Sequence, residues 1–532
     1  MFFTAALPSI LLLSTKPWLA AANGRDQQPS APSLGNTIYN DQNLRYIATV
    51  IVGGQSINVT LDTGSTDMWL NPRGGVGTFQ DTGVSHEIHY GDGSPFINGT
   101  IGLIQVSLAG HVIPKQAFIN ITQISGLDQC GHGDCGLIGL GFDNPKVGIQ
   151  NALTQAGQDG NTIGKSVLSN IFDMNPDKGR FFALSLSRER DARDSAPATL
   201  HISEYATRYE SVQYEPIRPV YPLTETNWNL LSKGFSVNGR PLSLVANDKT
   251  VPGGNILIGL DTGNPGVCTR PEIREAIYSQ IPGAVLSKNS SIPSRNFRTD
   301  QDIWVIPCNA SLNLTMDFEG NSYPVHPLDL TAMYTHVGRD GVNRTICVNT
   351  ITNCGMAKDV LYGDPFLRNV YTVYNFGNAT TPPFVQFSSQ TDVEEAARDF
   401  AIVRQELLAG NAPELGPADL VHLYDGPSAG IPANPTPPGS SCSSGVRVAE
   451  NIANDATPSS NDSILAKHAP VIIGLLAANL VVLSILALAV VREVGSARSQ
   501  SAPRYVPVHV RDNDSAPLTH PPFSDKKDYS DA

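Results

Sequence analysis

"LDTGSTDMWL", residues 61–70, and "GLDTGNPG", residues 259–266, decide the fold. Each contains Asp-Thr-Gly, with Asp62 and Asp261 standing 199 positions apart. Either triplet alone reads as a β-turn, because Asp and Gly are ordinary turn residues. Their approaches make them more than that. The apolar run "INVTL" leads into Asp62 and "NILIGL" leads into Asp261, so both are strand-to-turn units. Two such units point to a duplicated lobe, each copy contributing one carboxylate. The copies part after the glycine, where the first continues with Ser65 and Thr66 and the second with Asn264 and Pro265.

The 532 residues have ample length for two substantial cores. A content of 41% hydrophobic and 16% charged residues is globular, and 47 Gly with 39 Pro favours short strands over long helices. Net charge is −13, which gives a nucleic-acid role no support. Apolar runs such as "YIATVIVG", "GTIGLIQVSLAG", "FFALSLS", "YTVYNFG" and "FVQFS" fill residues 45–388 and read as strands. "RPEIREAIYSQI", residues 270–281, is the clearest helix. Beyond Ser388, Thr391 and Glu394 form a capping-box pattern ahead of a stripe of Val393, Ala396, Phe400, Val403 and Leu407 ending at Gly410. That predicts an amphipathic helix over 391–410. Pro, Ser, Ala and Gly then dominate, predicting a disordered stalk over 411–468.

Residues 1–22 read as a signal peptide, with Ala20-Ala21-Ala22 as the cleavage region. "APVIIGLLAANLVVLSILALAVV", residues 469–491, carries no charge. As a helix it would rise roughly 35 Å, enough to cross a bilayer. The expected order is a lumenal or extracellular ectodomain, one span, and a cytoplasmic tail over 492–532, a type I topology. Nine Asn-x-Ser/Thr acceptors precede the span: Asn58, Asn98, Asn120, Asn289, Asn309, Asn313, Asn343, Asn378 and Asn461. Seven cysteines, Cys130, Cys135, Cys268, Cys308, Cys347, Cys354 and Cys442, would be oxidised there, and the odd count leaves at least one unpaired or intermolecular. "CGHGDC", residues 130–135, places His132 between two cysteines. A local Cys130–Cys135 disulfide is favoured over a metal site, because zinc-site spacings are missing.

Two Asp side chains meeting between lobes cannot both ionise cheaply, so the pair holds one proton. The charged partner can act as general base on a water while the protonated one polarises a carbonyl. Over residues 44–390 the chain resembles a pepsin-like aspartic protease. "YIATVIVGGQSINVTLDTGSTDMWL" is similar to that family's opening strands and first catalytic loop. "HYGDGS", residues 89–94, resembles its flap, "CGLIGLGF" and "VLYGDPFLRNVYTVYNFGN" its two apolar-apolar-Gly segments, and "WVIPC" its approach to a disulfide.

The resemblance implies an all-β, bilobal fold with the site in a cleft between the lobes, over 44–210 and 211–390, preceded by a short extension over 23–43. It implies a catalytic pair of Asp62 and Asp261, supported by Thr63, Gly64, Ser65, Thr262, Gly263 and Asn264. It gives substrate contacts to the flap residues Tyr90, Gly91 and Asp92, with Trp69 steadying Tyr90 through a hydrogen bond. Asp92 also reads as a plain turn carboxylate between glycines. Cys308 resembles the first cysteine of the C-lobe disulfide, with Cys347 the natural partner and Cys354 a competitor. The implied activity is acidic endopeptidase cleavage of protein or peptide substrates by a monomeric unit without cofactor or metal.

Asn264 departs from the family's usual Ser or Thr. Its amide has donors that could replace the hydroxyl on the Asp261 carboxylate, while Pro265 removes a backbone donor. A catalytically impaired pepsin-fold binding protein is therefore the alternative. A two-carboxylate glycosidase fits poorly, because both acids sit in matched loops.

Overall fold

The structure is a computed structural model that describes residues 37–432, apart from 92, 128–129, 190–196, 223–226, 293–300, 339, 354–357 and 427–429. Residues 1–22, read above as a signal peptide, residues 23–36, residues 433–468 of the expected stalk, the apolar segment 469–491 and the expected tail 492–532 lie outside the described residues. Among the described residues no helix is long and apolar enough to cross a membrane.

Arg45–Val52 and Gln55–Asp62 form a hairpin running from Ile47↔Thr60 to Val52↔Gln55. Tyr46, Val50, Val52, Val59 and Leu61 are buried there. The run "RYIATVIV" does not alternate, because both of its faces are covered. The expected core boundary at residue 44 falls too late. Thr37–Asp41 already belongs to the sheet, pairing with Ala198–Ile202 and with Arg45–Val52. A 13-stranded sheet results, and an extra pairing of Arg45–Val52 with Phe96–Leu108 curls it towards a barrel. Strands from both halves of the chain share this sheet where Phe181–Ser185 meets Val370–Asn375.

The duplication inferred from the two triplets extends to strand register. Gln55–Asp62 runs parallel to Gly136–Gly139, which runs antiparallel to Met68–Leu70. In the second half, Ile256–Leu260 runs parallel to Val360–Tyr362, which runs antiparallel to Val267–Thr269. Ile138 pairs with both Leu61 and Met68. Tyr362 pairs with both Leu260 and Val267, the residues at the same offsets from Asp261. One register built twice sets both Asp-Thr-Gly turns at the ends of equivalent strands. The sheets are mixed, and helices sit among them, so the fold is mostly β and the all-β expectation is too strict.

Two helical expectations shift. The helix read over 270–281 spans Pro271–Tyr278, with Pro271 at its start and Ile273, Ile277 and Tyr278 buried. The later helix spans Val393–Gly410, and Asp392, not Thr391, caps it by accepting from the Glu395 amide. Thr391 instead donates to Asn369 Oδ1 at 2.6 Å. Of the expected stripe, Ala396, Phe400 and Val403 are buried and Leu407 is half-buried, whereas Val393, at the start of the helix, is exposed.

The stalk boundary at 411 is corrected by a second helix, Pro417–Asp425, and a strand, Gly430–Pro432. Leu420, Val421 and Tyr424 pack with Val285, Ile303, Val305, Ile346 and Val348. The composition of 411–432 concealed these few apolar anchors. Asp425 fixes the helix end, accepting from the Ser287, Ser290 and Ser291 hydroxyls and the Ser291 amide at 2.5–2.7 Å.

Candidate active site

The two turns are joined through their threonines. The Thr63 amide donates to Thr262 Oγ1 at 3.1 Å and the Thr262 amide to Thr63 Oγ1 at 3.0 Å. Each hydroxyl then donates across to a carbonyl, Thr63 to Leu260 O at 3.1 Å and Thr262 to Leu61 O at 2.8 Å. Both threonines are buried, so these bonds satisfy groups that would otherwise be orphaned away from water.

This cross-link brings the carboxyl groups of Asp62 and Asp261 together. A side chain at Gly64 would begin 2.6 Å from the Asp261 carboxyl, and one at Gly263 would begin 2.6 Å from Asp62 Oδ1. Each glycine therefore leaves room for the aspartate of the other turn. Each also donates its amide to its own aspartate, Gly64 to Asp62 Oδ1 at 2.7 Å and Gly263 to Asp261 Oδ1 at 2.8 Å.

Beyond these amides the symmetry fails. Ser65 Oγ donates to Asp62 Oδ2 at 2.5 Å. Asn264 gives Asp261 nothing comparable, which corrects the expectation for its amide. Its Oδ1 accepts from the Gly266 amide at 3.3 Å, and its Nδ2 points to Cys268 Sγ at 3.6 Å. The Asn264 side chain thus closes its own Asn-Pro-Gly turn, as Asn side chains commonly do. Asp261 keeps a solvent-facing edge as a residue, yet its carboxyl lies deep between the loops. Burial first, and the charge of Asp62 second, hold that carboxyl well above the usual range, while the Gly263 amide and the Lys358 charge oppose the rise.

Tyr90 follows the strand Gln80–His89 at a hairpin whose return strand is Phe96–Leu108. Its amide donates to Pro95 O, and the Trp69 Nε1–H donates to its hydroxyl at 2.8 Å. Burial and the Asp62 charge push the Tyr90 phenol up, so it stays protonated across the physiological range. Gly91 turns the hairpin with φ of 55°. Asp92 lies outside the described residues.

Three site neighbours escaped sequence reasoning. Trp228, fully buried, donates its Nε1–H to Leu140 O at 3.1 Å and packs on Phe142 and Phe376. Asp364, in "YGDPF", is fully buried, and neither carboxyl oxygen has a hydrogen-bond partner. Burial raises its carboxyl well above the usual range despite Arg368 nearby, and Asp261 adds to the rise. Asp67 is raised to about 6 by burial, although it accepts from the Ile149 amide. Acidity beside Pro was the only sequence signal at Asp364, and it resembles any turn.

Disulfides join Cys130 to Cys135 and Cys308 to Cys347, and Cys268 is also disulfide-bonded. His132, in the first of these loops, contacts Asp41 Oδ2 at 2.9 Å. Among the described residues no His, Cys, Asp and Glu cluster forms a metal cage. Asn289, Asn309, Asn313, Asn343 and Asn378 are exposed, Asn58, Asn98 and Asn120 are half-buried, and Asn461 lies outside the described residues.

Comparison with known proteins adds an independent line. The family model described as eukaryotic aspartyl protease matches residues 45–382. An aspartic protease of Phaffia rhodozyma is 26% identical over 368 residues, covering 66% of this chain and 79% of the relative. The aspartic-type endopeptidase ctsD of Aspergillus fumigatus is 25% identical over 376 residues, covering 66% and 68%. A probable vacuolar protease A of Arthroderma benhamiae is 22% identical over 379 residues, covering 67% and 82%.

Proposed function

This chain belongs to the eukaryotic aspartyl protease family, with a mostly-β pepsin-like fold, and from that premise we propose that it is an aspartic endopeptidase acting at acidic pH. Asp62 and Asp261 would share one proton and activate one water. The close approach of the two carboxyls through the paired glycines supports this reading most directly. Asp62 receives donors on both oxygens and suits the ionised role, since hydrogen bonds to a carboxylate favour its charged form. Asp261 receives one amide and suits the protonated role.

On this reading the reaction runs through the two carboxyls. Asp62 takes a proton from the water as it attacks the peptide carbonyl, and the Asp261 proton passes to the carbonyl oxygen. Collapse of the resulting tetrahedral diol breaks the C–N bond as Asp62 gives its newly acquired proton to the departing nitrogen and Asp261 takes a proton back from a diol hydroxyl. Tyr90, braced by Trp69, would close over the substrate. The rotated Asn264 is the observation that favours the impaired-binder alternative, but both carboxyls and the full threonine cross-link are retained. We further propose that the catalytic part is lumenal or extracellular and held to a membrane by residues 469–491; extraction of the membrane fraction with alkaline carbonate should leave the full chain in the pellet.

The enzymatic test uses the purified full chain on a protein substrate at pH about 3 to 6, with and without pepstatin. The expected result is pepstatin-sensitive cleavage, lost in both Asp62→Asn and Asp261→Asn. Cleavage that persists in either variant would contradict the proposal.

A further inference from the structure

Asp261 accepts one hydrogen bond from its own turn, whereas Asp62 accepts two. The strand that carries Asp261 offers another source of stabilisation. Gly259 stands two residues before Asp261, in the strand Ile256–Leu260 that leads directly into it. It pairs with Asn229 on one side and Leu361 on the other. A side chain at Gly259 would begin 3.2 Å from Lys358 Nζ, 3.2 Å from Asn229 Oδ1 and 2.9 Å from a Leu361 methyl. The ammonium of Lys358 therefore rests over the bare backbone of Gly259, in the space that a side chain would otherwise take.

The backbone that follows Lys358 is fixed by the fold. The next residue, Asp359, is buried, and its carboxylate accepts from the Asn247 and Leu257 amides at 2.8 Å each. Its amide donates to Leu257 O. From Val360 the chain continues as the strand parallel to Ile256–Leu260.

We propose that Lys358 is a positioning residue for the reaction: its ammonium, seated over Gly259, gives the second aspartate the positive field that the Ser65 hydroxyl gives the first. This rests on the aspartate-pair reading above. The other groups around Asp261 do not supply such a field. Asp62 is an acid on the facing loop, and Asp364, from the segment behind, is an acid whose carboxyl burial raises. Tyr374 is a buried phenol whose pKa burial raises, and Tyr90 of the flap is likewise neutral. Arg368 is spent on Asp329.

A positive charge beside an acid pair favours the release of its protons. Removing that charge raises both apparent values of the pair and moves the whole profile towards higher pH. The test measures kcat/KM against pH for the full-length wild type and for Lys358→Met, Lys358→Gln and Lys358→Arg, with melting temperature as the folding control. The two neutral variants should shift both limbs upward by about 0.5–1 pH unit, the scale of a partly screened nearby charge. On the acid limb that is about a 3–10-fold loss at fixed pH. Arg should keep the wild-type position. A neutral variant whose profile superposes on wild type, or an Arg variant shifted as far as Met, would overturn the proposal. A wild type without pepstatin-sensitive activity would instead remove the aspartate-pair reading itself.

Discussion

Asn264 shows how one side chain can change a site without removing a reacting group. In the first turn the equivalent Ser65 is short and its hydroxyl reaches Asp62 Oδ2 at 2.5 Å. Asn264 is longer, and its carbonyl oxygen finds the Gly266 amide closer to hand. Replacing it with serine should return a donor to Asp261 and favour its ionised form. The expected outcome for Asn264→Ser is a kcat/KM profile displaced towards lower pH, opposite to that of Lys358→Met. An upward displacement would contradict this account of the turn. Thr262→Val makes a second case. It keeps the shape but strands the Thr63 amide and frees the Leu61 carbonyl in a buried place. The cost should be about 1–3 kcal/mol, read by denaturant unfolding. The pairing of the two turns that carry Asp62, Thr63 and Gly64 and their second-half counterparts was open to sequence reasoning because the triplet occurs twice. The rotation of Asn264 was not, because a competing acceptor and donor within two residues decide it.

At the level of elements, legibility followed hydrophobic pattern. The strands leading into Asp62 and Asp261 carry long apolar runs, and they lie where those runs place them. The helix over Val393–Gly410 was readable from its stripe, although its cap was assigned one residue early. Residues 411–432 were unreadable because Pro, Gly and Ala mask three anchors, Leu420, Val421 and Tyr424. These anchors seal a cluster that also covers Val285 and Ile346. Asp425→Ala should loosen the seal, since four donors converge on that carboxylate. The expected loss is about 1–3 kcal/mol, with earlier proteolytic nicking after Gly410. Unchanged protease resistance would mean that the apolar anchors suffice. The Trp69–Tyr90 bond belongs to the same scale, tying a hairpin to a core strand.

Across the whole molecule, buried acids set the response to pH. Asp67, raised to about 6, together with Asp261 and Asp364, holds protons in the folded state that the unfolded chain gives up. Raised carboxyl values cost nothing below the unfolded value, near 4, and destabilise progressively as pH climbs towards the folded value. Asp329 opposes this at the acid end. Burial alone would raise it, but Arg188 and Arg368 hold it well below the usual range. Its contribution is present above the unfolded value and is lost only as pH falls through its low folded value. Melting temperature should therefore peak at about pH 4–5 and fall towards neutrality. Asp364→Asn should flatten that fall while changing little at the peak. None of these burials could be read from sequence, because each depends on segments far apart in the chain meeting around one carboxyl.

A stability optimum expected in acid, and two carboxyls brought together by paired turns, lead back to the two aspartates. The most direct measurement is the pH dependence of pepstatin-sensitive peptide cleavage by the full chain beside Asp62→Asn and Asp261→Asn. The expected result is a bell-shaped acidic profile in the wild type and a fall of at least about 1,000-fold in each variant, the scale of losing a group that acts as part of a unit. An equally active Asp261→Asn enzyme would contradict the shared role of the two turns.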